Sequence, residues 1–100
     1  MANGIFDFLK SAIHAYAYAD SCNAFYDALG KNDIPKALRF YNTAVKQGLA
    51  IKDKVEYEGD VNPIVHSLFV MKADYGYRSG RITQEKHAEI MRDLGVDGNA

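Results

Sequence analysis

Two prolines punctuate this chain, and each follows within two residues of a side chain that caps helices: Asp33-Ile34-Pro35 and Asn62-Pro63. Proline lacks an N–H and fixes φ, so it suits the first turn of a helix and breaks the interior. Asp and Asn accept hydrogen bonds from the free amides of that first turn. Elsewhere proline is absent, and apolar residues recur at steps of three and four. That combination confines the chain to helices. The expected fold is all-α, a compact bundle of four to five helices built from two helical hairpins. The length of 100 residues suits a single domain spanning 1–100. Its one natural subdivision is 1–52 and 62–95, joined by an irregular acidic loop.

The first helix is expected to open at Asn3 or Gly4 and run to about Leu29. Its apolar positions are Ile5, Phe6, Leu9, Ile13, Tyr16, Cys22, Phe25, Tyr26 and Leu29, read as one stripe. Six alanines between Ala12 and Ala28 favour helix. Gly30 is placed for a left-handed C-terminal cap, and the polar pair Asp20-Ser21 marks a kink or break. The second helix carries Ile34, Ala37, Leu38, Tyr41, Ala44 and Val45 on its inner face. Gly48 either ends it or weakens it. Residues 53–61 read as a loop or frayed helix end, although Val55 to Gly59 alternates like a strand. The third helix starts at Asn62-Pro63 and carries Ile64, Val65, Leu68, Phe69, Met71 and Tyr75. Ser79-Gly80 breaks it. Thr83 caps the last helix, whose inner face is His87, Ile90, Met91 and Leu94, and Gly95 closes it. The two turns, Asn32-Asp33-Ile34-Pro35 and Gly80-Arg81-Ile82-Thr83, share an order of stop, charge, isoleucine and start. The isoleucine is expected to tuck under each turn as a hydrophobic staple.

The segment Asn32 to Val45 resembles the second helix of a tetratricopeptide repeat, with Ala37, Tyr41 and Ala44 at that family's small, aromatic and small positions. It covers half a repeat, with no second copy in the chain. The stretch from Gly80 through Leu94 is similar to the SHOCT segment, a short bacterial helical hairpin, with His87 where that family favours an aromatic. That resemblance implies oligomerisation or partner binding. Neither resemblance supplies catalytic residues.

Net charge is −1, which offers no global field to nucleic acid or an anionic membrane. The single cysteine, Cys22, excludes an internal disulfide and points to a reducing, cytoplasmic setting. The run Ile5 to Lys10 carries charges within its apolar part, unlike a signal peptide, and no stretch is long and apolar enough to span a membrane. The chain reads as a complete small frame with a polar tail, Asp97 to Ala100. His14, His66 and His87 lie on separate helices without metal-ligand spacing, so no metal is expected. No glycine-rich phosphate loop or nucleophile elbow occurs, so no cofactor and no catalytic set are expected.

What remains is surface. Seven tyrosines and five phenylalanines exceed what four helices can turn inward. Tyr75 to Arg81 is the one glycine–aromatic–arginine cluster. Asp53, Glu56, Glu58 and Asp60 form an acidic patch suited to docking on a basic groove. The expected function is non-enzymatic binding of a macromolecular partner, a protein or a protein–nucleic-acid complex, with no membrane involvement. Tyr75, Tyr77, Arg78, Arg81, Tyr18 and Tyr57 are the expected contact residues. By size and class alone, such small phage or bacterial proteins include inhibitors that act by steric occlusion, such as anti-CRISPR proteins. The alternative is a nucleic-acid-binding hairpin using Lys72, Arg78, Arg81, Lys86 and Arg92. A third reading is an enzyme or small-ligand domain using His66, His87 or Cys22.

Overall fold

The computed structural model describes residues 2–96, so the polar tail lies outside the described residues. These fold as α1 (Ala2–Gly30), α2 (Ile34–Ile51), a 3-10 turn (Lys52–Lys54), α3 (Pro63–Arg78) and α4 (Gln84–Asp93). The all-α expectation holds among the described residues, which contain no strand.

Both proline signals mark helix starts. Asp33 Oδ1 accepts from the Lys36 amide at 3.3 Å, with Pro35 in the first turn of α2. Asn62 Oδ1 accepts from the Ile64 amide at 2.9 Å, and its Nδ2 donates to the Lys52 carbonyl at 2.6 Å. One side chain thus starts α3 and ties it to the end of α2. Thr83 caps α4 by accepting from the Lys86 amide at 3.1 Å.

The two turns are built alike at their first step. After α1, the Asp33 amide reaches back to the Ala28 carbonyl and the Asn32 amide to Leu29. After α3, the Arg81 amide reaches Gly76 and the Gly80 amide reaches Tyr77. This paired closure needs one left-handed residue. Gly80 supplies it in the second turn (φ 79°), whereas Asn32 supplies it in the first (φ 60°). Gly30, expected in that role, is instead the last residue of α1. Asparagine tolerates this conformation better than most residues, so the closure moves two positions on. The staple expectation also shifts. Ile34 is already inside α2 and packs partly on the core, while Ile82 rests against Gly76 of α3.

No break interrupts α1. Ser21 is buried, and the helix is continuous through Asp20-Ser21. Gly48 lies within α2 and is buried, so it does not end that helix. Of the uncertain segment 53–61, residues 53–54 complete the 3-10 turn at the end of α2 and residues 55–61 are loop, with no strand.

The core joins α1, α2 and α3. Phe25, Ala28 and Leu29 meet Ala37, Ala44 and Ile51, with Ile64, Leu68, Met71 and Tyr75 closing from α3. Three of these ten are alanine, which lets the helices approach closely. No residue of α4 is fully buried; it lies against α3 through Ile82, His87, Ile90 and Leu94, all half-buried.

α1 is the exception to tight packing. Its 29 residues span about 43 Å, against about 27 Å for the 18 residues of α2. His14 Nδ1 already meets Gln47 Oε1 near the end of α2, so the first third of α1 overhangs. The radius of gyration is 15.1 Å, whereas a compact 100-residue domain has about 13 Å.

The expected single stripe on α1 is two stripes. From Tyr16 to Cys22 the apolar pattern steps six residues, which rotates it by about 240°. Cys22, Phe25 and Leu29 therefore face the core, while Ile5, Leu9, Ile13 and Tyr16 face the opposite way. The latter are 64%, 51%, 68% and 79% exposed.

Candidate functional site

The expected contact set divides once placed in the fold. Tyr75 is buried in the core and presents no ring to a partner. It sits one face round from Tyr77 on α3, and its face is the one that meets α1 and α2. The Arg81 guanidinium lies over the Tyr75 ring, 5.4 Å from its centroid, an internal cation–π contact. Arg78 Nη2 donates to the Leu29 carbonyl at 2.9 Å. That carbonyl is at the C-terminus of α1, where backbone acceptors lack helical partners and favour cations. Arg78 therefore fastens α3 to α1. Tyr77 is partly exposed and stacks on His87 with ring centroids 4.9 Å apart. Tyr57 is exposed in the loop after the 3-10 turn. Glu56, Glu58 and Asp60 are exposed in that loop and Asp53 in the 3-10 turn, where it pairs with Lys52 at 3.1 Å. Sequence proximity brought Tyr75, Tyr77, Arg78 and Arg81 together; α3 divides the first three between core, surface and the contact with α1, and Arg81 lies in the turn beyond it.

A polar network that sequence reading missed joins three helices. Tyr26 Oη donates to Asp74 Oδ2 at 2.7 Å, and His87 Nε2 donates to Asp74 Oδ1 at 2.8 Å. Asp74 thus holds α1 and α4 onto α3. A carboxylate that accepts from both neighbours leaves no activated hydroxyl, because the Tyr26 proton is retained: burial, then Asp74, pushes its pKa up. The network is a clasp. We expect Asp74→Ala to cost about 1–2 kcal/mol, measured by urea unfolding, because Tyr26 and His87 lose their acceptor but stay accessible to water.

The groups of the third reading are likewise spoken for. His66 Nε2 donates to the Leu94 carbonyl at 2.6 Å, closing the C-terminus of α4. Cys22 Sγ donates to Met71 Sδ at 3.6 Å. Cys22 and His66 line one open cavity of about 370 Å³, together with Tyr18, Ser67 and Met71. Burial pushes the Cys22 thiol up, which keeps it protonated and poorly nucleophilic. His87 is elsewhere, in the clasp. Among the described residues no three metal-ligating side chains converge.

Tyr18 is half-buried at this cavity, and its hydroxyl lacks a hydrogen-bond partner. Burial raises its pKa to about 12, and burial also raises those of Tyr26 and Tyr41. A raised folded-state pKa means that the folded chain holds these protons more tightly than the unfolded one. Their stabilisation is complete below pH 10 and is lost as pH rises through the folded-state values, about 12 for Tyr18. Alkaline titration followed by circular dichroism and phenolate absorbance is expected to show unfolding in that window, with these three phenols ionising late.

A second groove lies between α3 and α4, about 390 Å³, lined by Phe69, Lys72, Tyr75, Arg81, Ile82 and Ile90. Most of the exposed large apolar residues among the described residues are on α1. Ile5, Phe6, Phe8, Leu9, Ile13 and Tyr16 are each more than half exposed within twelve residues. The six-residue step after Tyr16 is the sequence signal that could have revealed it. Among the described residues no helix is long and apolar enough to cross a membrane. Set against known proteins, the chain matches no family model, no curated protein and no solved structure.

Proposed function

We propose that this chain is a non-enzymatic, cytoplasmic helical protein that binds a macromolecular partner. In this reading two helical hairpins form a bundle from which the first third of α1 projects as a docking arm. The observation that carries it is the outer face of that arm. Monomeric proteins seldom expose contiguous apolar patches beyond a few hundred square ångströms. On that face Ile5, Phe6, Leu9, Ile13 and Tyr16 offer on the order of 700 Å² at their exposures, with Phe8 turned to the flank. The action is inhibition by steric occlusion, as in small phage or bacterial inhibitors of the anti-CRISPR kind, an analogy of size and class.

The protein-partner reading gains over direct nucleic-acid binding from the basic residues. Arg78 is held on the Leu29 carbonyl and Lys86 lies 3.5 Å from Glu89. That leaves Lys72, Arg81 and Arg92 of the five, with Arg81 over a tyrosine ring.

The test is affinity purification from the native host with the wild type and a Leu9→Asp/Ile13→Asp variant. Both positions are exposed, so the variant should keep its fold by circular dichroism. A macromolecule retained stoichiometrically by the wild type and lost with the variant supports the reading. Recovery of no macromolecule, the chain itself included, defeats it.

A further inference from the structure

We propose that the outer face of α1 is a seam for a second copy of this chain, paired antiparallel through residues 5–16; this rests on the docking reading above. Phe6, Leu9, Ile13 and Tyr16 recur at steps of three, four and three. That is the spacing at which two helices interlock side chains along a shared seam. Read backwards it is the same spacing, so an antiparallel copy fits it about a two-fold axis near Ser11. Leu9 then meets Ile13 of the second copy, and Phe6 meets Tyr16 of the second copy. Aliphatic faces aliphatic in the middle and aromatic faces aromatic at both ends. A two-fold interface requires this kind of self-complementarity, because one patch must serve both sides.

Three further observations select this occupant. Residues 4–19 carry one acid and one base, Asp7 and Lys10. That is too few cations for an anionic membrane surface and too little charge to steer an oppositely charged partner. The exposed area of Phe6, Leu9, Ile13 and Tyr16 with the flanking Ile5, on the order of 700 Å² per chain, falls within what a specific interface takes from each partner. The seam also ends where a dimer would need it to. The next position in the pattern is Asp20, which is exposed. In the antiparallel register it falls beside the first turn of the second copy's α1, where a carboxylate is favoured.

The experiment uses the purified full chain at tens of micromolar, with mass measured by light scattering after gel filtration. The wild type is expected at twice the 11.1 kDa of one chain. Leu9→Lys alone and Ile13→Asp alone are each expected at one-chain mass with unchanged helical circular dichroism. Each variant homodimer would bury two unpaired charges, weakening pairing at least about 100-fold. Mixing the two variants is expected to restore the doubled mass, because antiparallel pairing sets the new lysine against the new aspartate and leaves one wild-type pair. A parallel pair would set each charge against a wild-type residue and would not recover.

A wild type at one-chain mass overturns the proposal, as do variants that remain dimeric or a mixture that stays monomeric. A monomer that instead sediments with phosphatidylcholine–phosphatidylserine vesicles overturns it in favour of a lipid surface. A monomer that retains a host macromolecule through the same face overturns the self-pairing and leaves the docking reading standing. A monomer that retains nothing ends both.

Discussion

Phe25→Ala is expected to destabilise the chain by about 3–5 kcal/mol, the range for truncating a fully buried phenylalanine. Phe25 is 0% exposed. Its ring meets Tyr26 edge-on at 4.9 Å and Tyr41 at 6.1 Å. It stands where α1, α2 and α3 converge, so the vacated volume is bounded by three helices that cannot all move in. The alanines lining the core have no side chain to extend into the gap. Domains of this size have total stabilities of about 5–15 kcal/mol, so the variant should lie close to its unfolding limit. Chemical denaturation of both proteins checks it: the midpoint should fall sharply with little change in slope. A loss below about 1 kcal/mol would mean that the three-helix core is packed otherwise.

Gly48→Leu is expected to cost about 3 kcal/mol or more. In an exposed helix, replacing glycine normally gains about 1 kcal/mol through lower backbone freedom. At position 48 the sign reverses. A Cβ there would stand 2.9 Å from Ile64 Cγ2 and 2.9 Å from Tyr18 Cε1. These come from α3 and α1, so the added side chain is caught between two helices and cannot turn away from one without meeting the other. Ile64 is β-branched and stiff, and Tyr18 is held in the core edge, so neither yields cheaply. Gly48→Ala, with one carbon, is expected to lose less, the clash outweighing the helix preference. Stabilisation by either substitution would show that α2 does not cross α1 and α3 at this point.

These two positions show how far the sequence could be read. Phe25 lies on a stripe with three- and four-residue spacing, and its burial follows from that spacing. The helix starts at Asp33-Ile34-Pro35 and Asn62-Pro63 were legible because capping and proline act within one turn. Gly48 was ambiguous because local chemistry treats it as a weak point. Its role as a contact surface depends on Tyr18 and Ile64, 30 and 16 residues away in the chain. Asn32 took the left-handed position expected of Gly30 because either residue satisfies the local geometry, and only the closed turn decides between them.

The site was less legible than the fold. Tyr75, Tyr77, Arg78 and Arg81 are neighbours in sequence, yet α3 turns the first three through about 100° per residue and Arg81 lies in the turn after it. The separation of those three into core, surface and the contact with α1 follows from which face α3 offers to α1. Asp74 drew no notice as an isolated acid in an apolar helix. Its meaning comes from Tyr26 and His87, brought to it by two other helices. The outer face of α1 was written in the sequence, in the step from Tyr16 to Cys22. Reading the nine apolar residues as one stripe hid it, because spacings of three and four on either side dominate the pattern.

The overhang makes one physical demand. A helix segment of about 12–15 residues is marginal in water without packing. Residues 4–16 lie mostly beyond the reach of α2 but continue a packed helix, so a partner on their outer face would make local opening rare rather than create the helix. Amide hydrogen exchange measured by mass spectrometry on wild type and the Leu9→Asp/Ile13→Asp variant tests this most directly. The account predicts strong protection of residues 4–16 in the wild type at tens of micromolar, its loss in the variant, and unchanged protection of residues 18–30 in both. Equal protection of residues 4–16 in the two proteins would contradict it.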